Sequence, residues 1–229
     1  MTRLNKYIAN AGVCNRREAD QLILSGKIMV NGNVITVLGT KVSKEDIVEY
    51  NGKALSCKKF QYLLINKPVG QEAINLGQEY INDITVKPVV SMNTSSAGLL
   101  IYSNDIELIN RIATNKKAYR QKCILELDKE ADLNLIEKLE IGFNINHAFF
   151  KAYKAQFGNK GNNKRMIVLT SWFFTDDTVV DGFEFLGYKI LHIDRVEIFG
   201  IKKGPLKRGK SGVLNNKEIG FLKMVKGLT

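Results

Sequence analysis

A polar loop set between two apolar runs, residues 85–105, dictates what the rest of the sequence must build around it. It reads Thr-Val-Lys-Pro-Val-Val-Ser-Met-Asn-Thr-Ser-Ser-Ala-Gly-Leu-Leu-Ile-Tyr-Ser-Asn-Asp. Val86, Val89 and Val90 form an apolar lead into a polar patch from Ser91 to Ser96. Past Gly98 the run Leu99-Leu100-Ile101-Tyr102 predicts a strand by its bulk, and the chain halts at Asn104-Asp105. A polar loop held by buried strands is where a functional site is usually displayed, because the frame fixes the backbone while the side chains remain accessible.

With 229 residues the chain has room for one small and one medium domain, the larger with a substantial core. Lys and Arg number 34 against 23 Asp and Glu, a net charge of +11. Such an excess favours a polyanionic partner, since each phosphate neutralised releases a counterion, although a basic surface kept for solubility has the same composition. Cys14, Cys57 and Cys123 are well apart with no Cys-x-x-Cys pair, which predicts reduced thiols and argues against a disulfide frame or a zinc site. His147 and His192 are isolated, so no metal is expected. The N-terminal segment lacks the apolar stretch of a signal peptide and no long apolar run follows, so the expectation is a cytoplasmic protein with no membrane partner.

Residues 3–13 predict a short helix with Leu4, Tyr7, Ile8 and Ala11 on one stripe. Asn15 then caps a second helix over 16–25, with Glu18 at the capping-box position and Ala19, Leu22 and Ile23 facing inward. Asn31-Gly32 between 28–30 and 34–35 is a hairpin signal, and 39–42 and 46–50 follow as short extended pieces. The motifs Arg3-Leu-Asn-Lys-Tyr, Asn15-Arg-Arg-Glu-Ala, Gly26-Lys and Val30-Asn-Gly together resemble the small RNA-binding domain named after ribosomal small-subunit protein four. The resemblance covers residues 1–52 and places Arg3, Lys6, Arg16, Arg17 and Lys27 near one surface as phosphate-gripping cations.

Residues 53–61 are polar and basic and read as a linker to a second domain over 62–229. Tyr62-Leu63-Leu64-Ile65 predicts a strand ended by Asn66-Lys67-Pro68-Val69-Gly70; residues 71–84 form a short segment to which no element is assigned. Asn104-Asp105 should cap a helix over 106–113 with Ile106, Ile109, Ile112 and Ala113 inward. A strand over 122–127, a helix over 132–141 (Leu133, Leu135, Ile136, Leu139), strands at 148–157 and 165–171, a helix at 179–186 and a strand at 189–199 follow. A basic, glycine-rich tail from Lys202 leads to a closing helix from Asn216, with Ile219, Leu222 and Met224 inward. The tail carries Lys202, Lys203, Lys207 and Arg208 as further RNA-binding candidates, and Lys67 is another. The fold class is α+β: a small helix-helix-sheet RNA-binding domain plus a larger domain on a mixed, mainly antiparallel sheet.

The Asn66-Lys-Pro-x-Gly turn and the loop at 91–105 resemble RsuA-type pseudouridine synthases. There the loop signature is Gly-Arg-Leu-Asp, a few polar residues, then Ser-Gly-Leu-Leu-Leu-Leu-Thr-Asn-Asp. That resemblance implies a pseudouridine-synthase-like second domain, isomerisation of uridine through one ionised aspartate, a stacking aromatic residue, a basic residue that orients the aspartate, and no cofactor. Laid on the family's pattern, Asn93 stands at the aspartate position, Ser91 at the arginine position and Cys123 at the tyrosine position. The family's later basic segment corresponds to Phe174-Thr-Asp-Asp-Thr-Val-Val-Asp181. An amide is neither nucleophilic nor basic at neutral pH, so the expectation is a pseudoenzyme. It would bind structured rRNA of the large ribosomal subunit, as an assembly factor or stable component derived from an RluB-type synthase, and be monomeric off the ribosome. The alternative is an active rRNA pseudouridine synthase with a displaced carboxylate. A third reading is a protein-interaction module whose basic faces serve solubility.

Overall fold

The computed structural model describes residues 1–56, 60–80, 86–115, 119–145, 148–158 and 163–224. The chain divides into two compact units, Met1–Phe60 and Gln61–Thr229. The expected linker, 53–61, lies partly outside the described residues, as do Cys57, His147 and the middle of the loop between the strands at 148–157 and 165–171.

In the first unit β1 (Thr2–Arg3) leads into α1 (Leu4–Asn10), and α2 (Arg16–Leu24) follows. The Asn15 side chain accepts the Glu18 N–H while Glu18 accepts the Asn15 N–H, the reciprocal box read from the sequence. β2 (Ile28–Val30) pairs antiparallel with β3 (Asn33–Val34) and with β5 (Val48–Tyr50), which pairs with β6 (Lys53–Ala54). β1 pairs with β4 (Lys41–Val42). Asn31 and Gly32 sit at φ 51° and 80°, as a two-residue turn matched to strand twist requires. Leu4, Ile8, Ala19, Ile23, Ile28, Val42 and Val48 form this unit's own core.

The second unit is built on one large sheet. Its strands are β7 (Tyr62–Lys67), β8 (Lys87–Pro88), β9 (Ala97–Ser103), β10 (Arg120–Leu127), β13 (Ala152–Gly158), β14 (Asn163–Trp172), β15 (Ile190–Ile198), β16 (Ile201–Lys202) and β17 (Ser211–Val213). The order is β13-β14-β10-β15-β9-β7-β17, with β8 added on β9 and β16 on β15. Every pairing is antiparallel except β9 with β15. A separate two-stranded ribbon joins β11 (Phe143–Ile145) and β12 (Ala148–Phe150). The helices are α3 (Ala73–Tyr80), α4 (Ile106–Thr114), α5 (Leu133–Ile141), α6 (Asp176–Phe185) and α7 (Asn216–Met224). Among the described residues, no helix is long and apolar enough to cross a membrane.

One core packs Leu135, Leu139, Val179 and Phe183 of α5 and α6 on Cys123, Leu125, Ile167, Leu169 and Ile193 of the sheet. A second packs Ala73 and Leu76 of α3 on Leu63, Ile65, Leu100 and Tyr102, with Val86 and Met92 from the loop approach. The segment 71–84, to which the sequence assigns no element, therefore holds a helix over Ala73–Tyr80. Its Gly77 passes so close to the Tyr102 ring that a Cβ there would overlap it, and Tyr102 donates its hydroxyl to the Ala73 carbonyl at 2.6 Å. In α4 the buried positions are Leu108 and Ile112, while Ile106 is exposed. Asp105 fixes this phase: its carboxylate accepts the Leu108 N–H and the Tyr62 hydroxyl, turning Leu108 and Ile112 onto the core. Leu133 and Met224 are also exposed, while Leu135, Leu139 and Leu222 are buried, Ile136 packs against the core and Ile219 is half-buried.

Candidate functional site

The loop between β8 and β9 is held at three places. Gly70 donates its N–H to the Thr94 carbonyl at 2.7 Å, and the Lys67 ammonium reaches the Thr94 and Pro68 carbonyls at 3.3 and 3.0 Å. From β15, Arg195 donates to the Ser91 carbonyl at 2.8 Å. From the first turn of α6, Asp176 accepts the Asn93 backbone N–H at 2.8 Å, and Asp177 accepts the Asn93 side-chain amide at 2.6 Å. The loop is thus tied to β7, β15 and α6, elements far away in sequence.

Gly98 makes the Arg195 contact possible. At φ +113° it pairs in parallel with Arg195, and a Cβ there would overlap the Arg195 backbone. Arg195 is fully buried and lies 3.8 Å from the Asp176 carboxylate, itself buried. Its Nε and Nη1 are buried and, among the described residues, have no hydrogen-bond acceptor. The Phe173 ring lies 5.7 Å from the guanidinium, and Tyr119 packs between Phe173 and Phe199 with centroids 5.4 and 4.4 Å apart. Burial pushes the Tyr119 hydroxyl above its ordinary range, with nearby Arg195 opposing.

Cys123 lies opposite Arg195 in the β10–β15 register. Burial pushes its thiol up to about 12; Arg195 opposes this, and Asp176 and Asp194 add to it. A thiol so placed is neutral at physiological pH and offers neither a nucleophile nor an extended ring for stacking. Ser91 is exposed and serves the loop through its carbonyl. Among the described residues, two buried cations therefore meet the loop, Arg195 of β15 at the Ser91 carbonyl and Lys67 of β7 at the Thr94 carbonyl. Arg195 did not stand out in sequence, since it lies inside an ordinary strand run, whereas Asp176 belongs to the acidic 174–181 segment but could not be placed beside the loop from sequence.

The expected RNA-binding cations divide. Arg3, Lys6, Arg17 and Lys27 are exposed in the first unit and Arg16 is half-buried; in the tail Lys202 and Lys207 are exposed. Lys67 is a correction: it is fully buried, and its ammonium holds the loop instead of facing solvent. Burial pulls its pKa down, Asp176 opposes, and Arg208 and Arg195 reinforce the fall. Lys203 and Arg208 are committed to Asp194, at 2.7 and 2.9 Å, and Arg208 also donates to Asn66 Oδ1 at 2.6 Å. These two cations fasten the tail to the sheet and are only partly available to a polyanion. Burial alone would raise the Asp194 carboxyl, but the hydrogen bonds from Arg208 and Lys203 outweigh it and hold its pKa below the ordinary value.

Residues 2–48 match the S4 domain. An uncharacterized RNA pseudouridine synthase of Aquifex aeolicus is 31% identical, with 99% of this chain and 95% of that protein covered. The ribosomal large subunit pseudouridine synthase B of Bacillus subtilis is 29% identical over 96% of this chain and 94% of its own length. The dual-specificity RNA pseudouridine synthase RluF of Escherichia coli is 26% identical over 95% of this chain and 77% of its own. The crystal structure of a pseudouridylate synthase superposes with a TM-score of 0.64 at 22% identity, covering 97% of this chain and all of the other, which supports the fold. The chain belongs to the RsuA/RluB-type family of RNA pseudouridine synthases and opens with an S4 domain.

Proposed function

We propose that this chain binds structured RNA of the large ribosomal subunit, as an assembly factor or a lasting component, and does not isomerise uridine. The observation that carries the proposal is the bonding of Asn93. The residue at the family's aspartate position is an amide, and both its backbone and its side chain are tied to Asp176 and Asp177 of the same chain. Losing acid–base function at one position costs on the order of a hundred- to ten-thousandfold in rate. The donors of buried Arg195 that find no acceptor among the described residues support the same reading, since a guanidinium facing the loop lacks, among those residues, the full carboxylate pairing that its geometry allows. Exposed cations on the S4 domain and the name of the Bacillus relative support the RNA partner.

One observation favours a second reading. Asp176 is an ionisable group 3.8 Å from Arg195 and beside the loop, the pairing of carboxylate and cation that uridine isomerisation requires in this family. Full-length protein incubated with large-subunit rRNA transcript, followed by mass mapping of pseudouridine, separates the two. The proposal expects no new pseudouridine. Pseudouridine formed by the native chain and abolished by Asp176→Asn would establish the second reading. Co-sedimentation with large subunits that weakens steeply with salt tests the RNA arm.

A further inference from the structure

Away from the loop, the sheet carries a stack of two aromatic rings and one guanidinium. Arg120 on β10 lies with its guanidinium carbon 3.4 Å from the centroid of the Tyr153 ring on β13 and 4.8 Å from that of Trp172 on β14. Arg120 and Trp172 are direct cross-strand partners, while a register shift between Ala152 and Lys154 leaves Tyr153 without a paired residue on β14. Helices α5 and α6 cover the face of β10 that carries Cys123, Leu125 and Leu127; Arg120 and Lys122 alternate with these and belong to the opposite face.

The rings are open to solvent, at 60% for Tyr153 and 39% for Trp172. Among the described residues, no carboxylate pairs with Arg120 and no acceptor takes its N–H groups. Its neighbour Lys122 has only a 4.0 Å contact to Glu197, and Lys154 is exposed. A guanidinium stacked on a ring keeps its in-plane donors free for phosphate or base-edge acceptors, and each ring keeps an outer π-face. A cationic cluster with exposed rings and no carboxylate committed to its central arginine is complementary to a polyanion whose bases are available to stack.

We infer that Tyr153, Arg120 and Trp172 form a stacking platform for unpaired nucleotides of a single-stranded RNA segment, separate from the S4 domain and from the loop at Asn93. The inference rests on the RNA-binding part of the proposed function. Trp172 is the only tryptophan in the chain, so its emission reports on the platform directly. The test titrates the full-length protein with a single-stranded oligouridine 12-mer and, separately, with a blunt RNA duplex of equal length. Single strands should quench Trp172 saturably, and the duplex should bind without doing so. Tyr153→Ala should weaken oligouridine binding on the order of tenfold with duplex affinity unchanged, and Tyr153→Phe should restore it. Arg120→Lys, which keeps the charge and loses the planar stack, should weaken it as well. Oligouridine binding that leaves Trp172 emission and the Tyr153→Ala affinity unchanged would overturn the platform and leave the RNA-binding reading intact. Failure of both RNAs to bind would overturn the two together.

Discussion

Arg195 and Asp176 form a buried pair in which two guanidinium nitrogens have no acceptor among the described residues, and its energetics can be separated by substitution. Removing one partner strands a charge in the interior, whereas removing both need not be costly. Arg195→Met alone should destabilise the second unit by about 3 kcal/mol, and adding Asp176→Leu should recover much of that loss. A chemical-denaturation double-mutant cycle checks it; additive losses would mean that the two residues act independently. Cys123 gives a second prediction at this scale. With its thiol pushed up to about 12 by burial, it should resist iodoacetamide at pH 8 in the native protein and react on denaturation. Cys14, half-buried, should be alkylated first of these two, as peptide mapping would read out. What sequence offered at this scale was an expectation, laid on the family's pattern, about Asn93, Ser91 and Cys123. The contacts around them were not legible, because Asn93 meets residues more than eighty positions away and Arg195 reaches the Ser91 carbonyl across about a hundred.

Capping chemistry made helices readable where tertiary contacts did not interfere. Asn15 with Glu18, Asp105, and the Asn31-Gly32 turn were each recognisable because side chain and backbone satisfy one another within three residues. Helix α3 escaped notice because Asn75 and Gly77 interrupt its apolar residues and its close packing depends on Gly77 against Tyr102. Helix α6 starts at Asp176, earlier than the apolar pattern from Val179 suggests, since Thr175 caps it and acidic residues suit a helix N-terminus. Between β9 and β15, Gly98→Ala should destabilise the fold by roughly 2–4 kcal/mol, through a left-handed backbone and overlap with the Arg195 backbone. Thermal unfolding measures the loss, and a neutral result would mean that the parallel pairing shifts freely. The tail is fastened through Asp194, whose folded pKa lies below its unfolded value. Its contribution is present above the unfolded pKa and lost as pH falls through the folded one. Asp194→Asn should therefore cost about 1 kcal/mol at pH 7, with the difference vanishing near pH 2 in denaturant titrations.

Charge is distributed unevenly along the molecule. Residues 1–60 contain 10 Lys and Arg against 5 Asp and Glu, and residues 202–229 contain 8 against 1. Between them, residues 61–201 carry 16 basic and 17 acidic groups, so the central sheet region is close to neutral. The two domain types and the basic ends were legible in sequence because family motifs and composition are local properties. Which cations remain free was not, since ion pairing within the tail depends on the fold. Lys202 and Lys207 are exposed, while Lys203 and Arg208 already neutralise Asp194. A cation releases a counterion from RNA only if it is available to replace one, giving a slope of roughly 0.7–0.9 per phosphate contact in a plot of log affinity against log salt. Arg17→Ala with Lys27→Ala should thus flatten the slope by about 1.5, and Lys202→Ala with Lys207→Ala by a similar amount. Lys203→Ala should change the slope by less than about 0.5, and its main effect should be a loss of stability. Filter binding to an rRNA transcript between low and physiological salt compares the three, and equal flattening by Lys203→Ala would show that RNA displaces Asp194 from the tail.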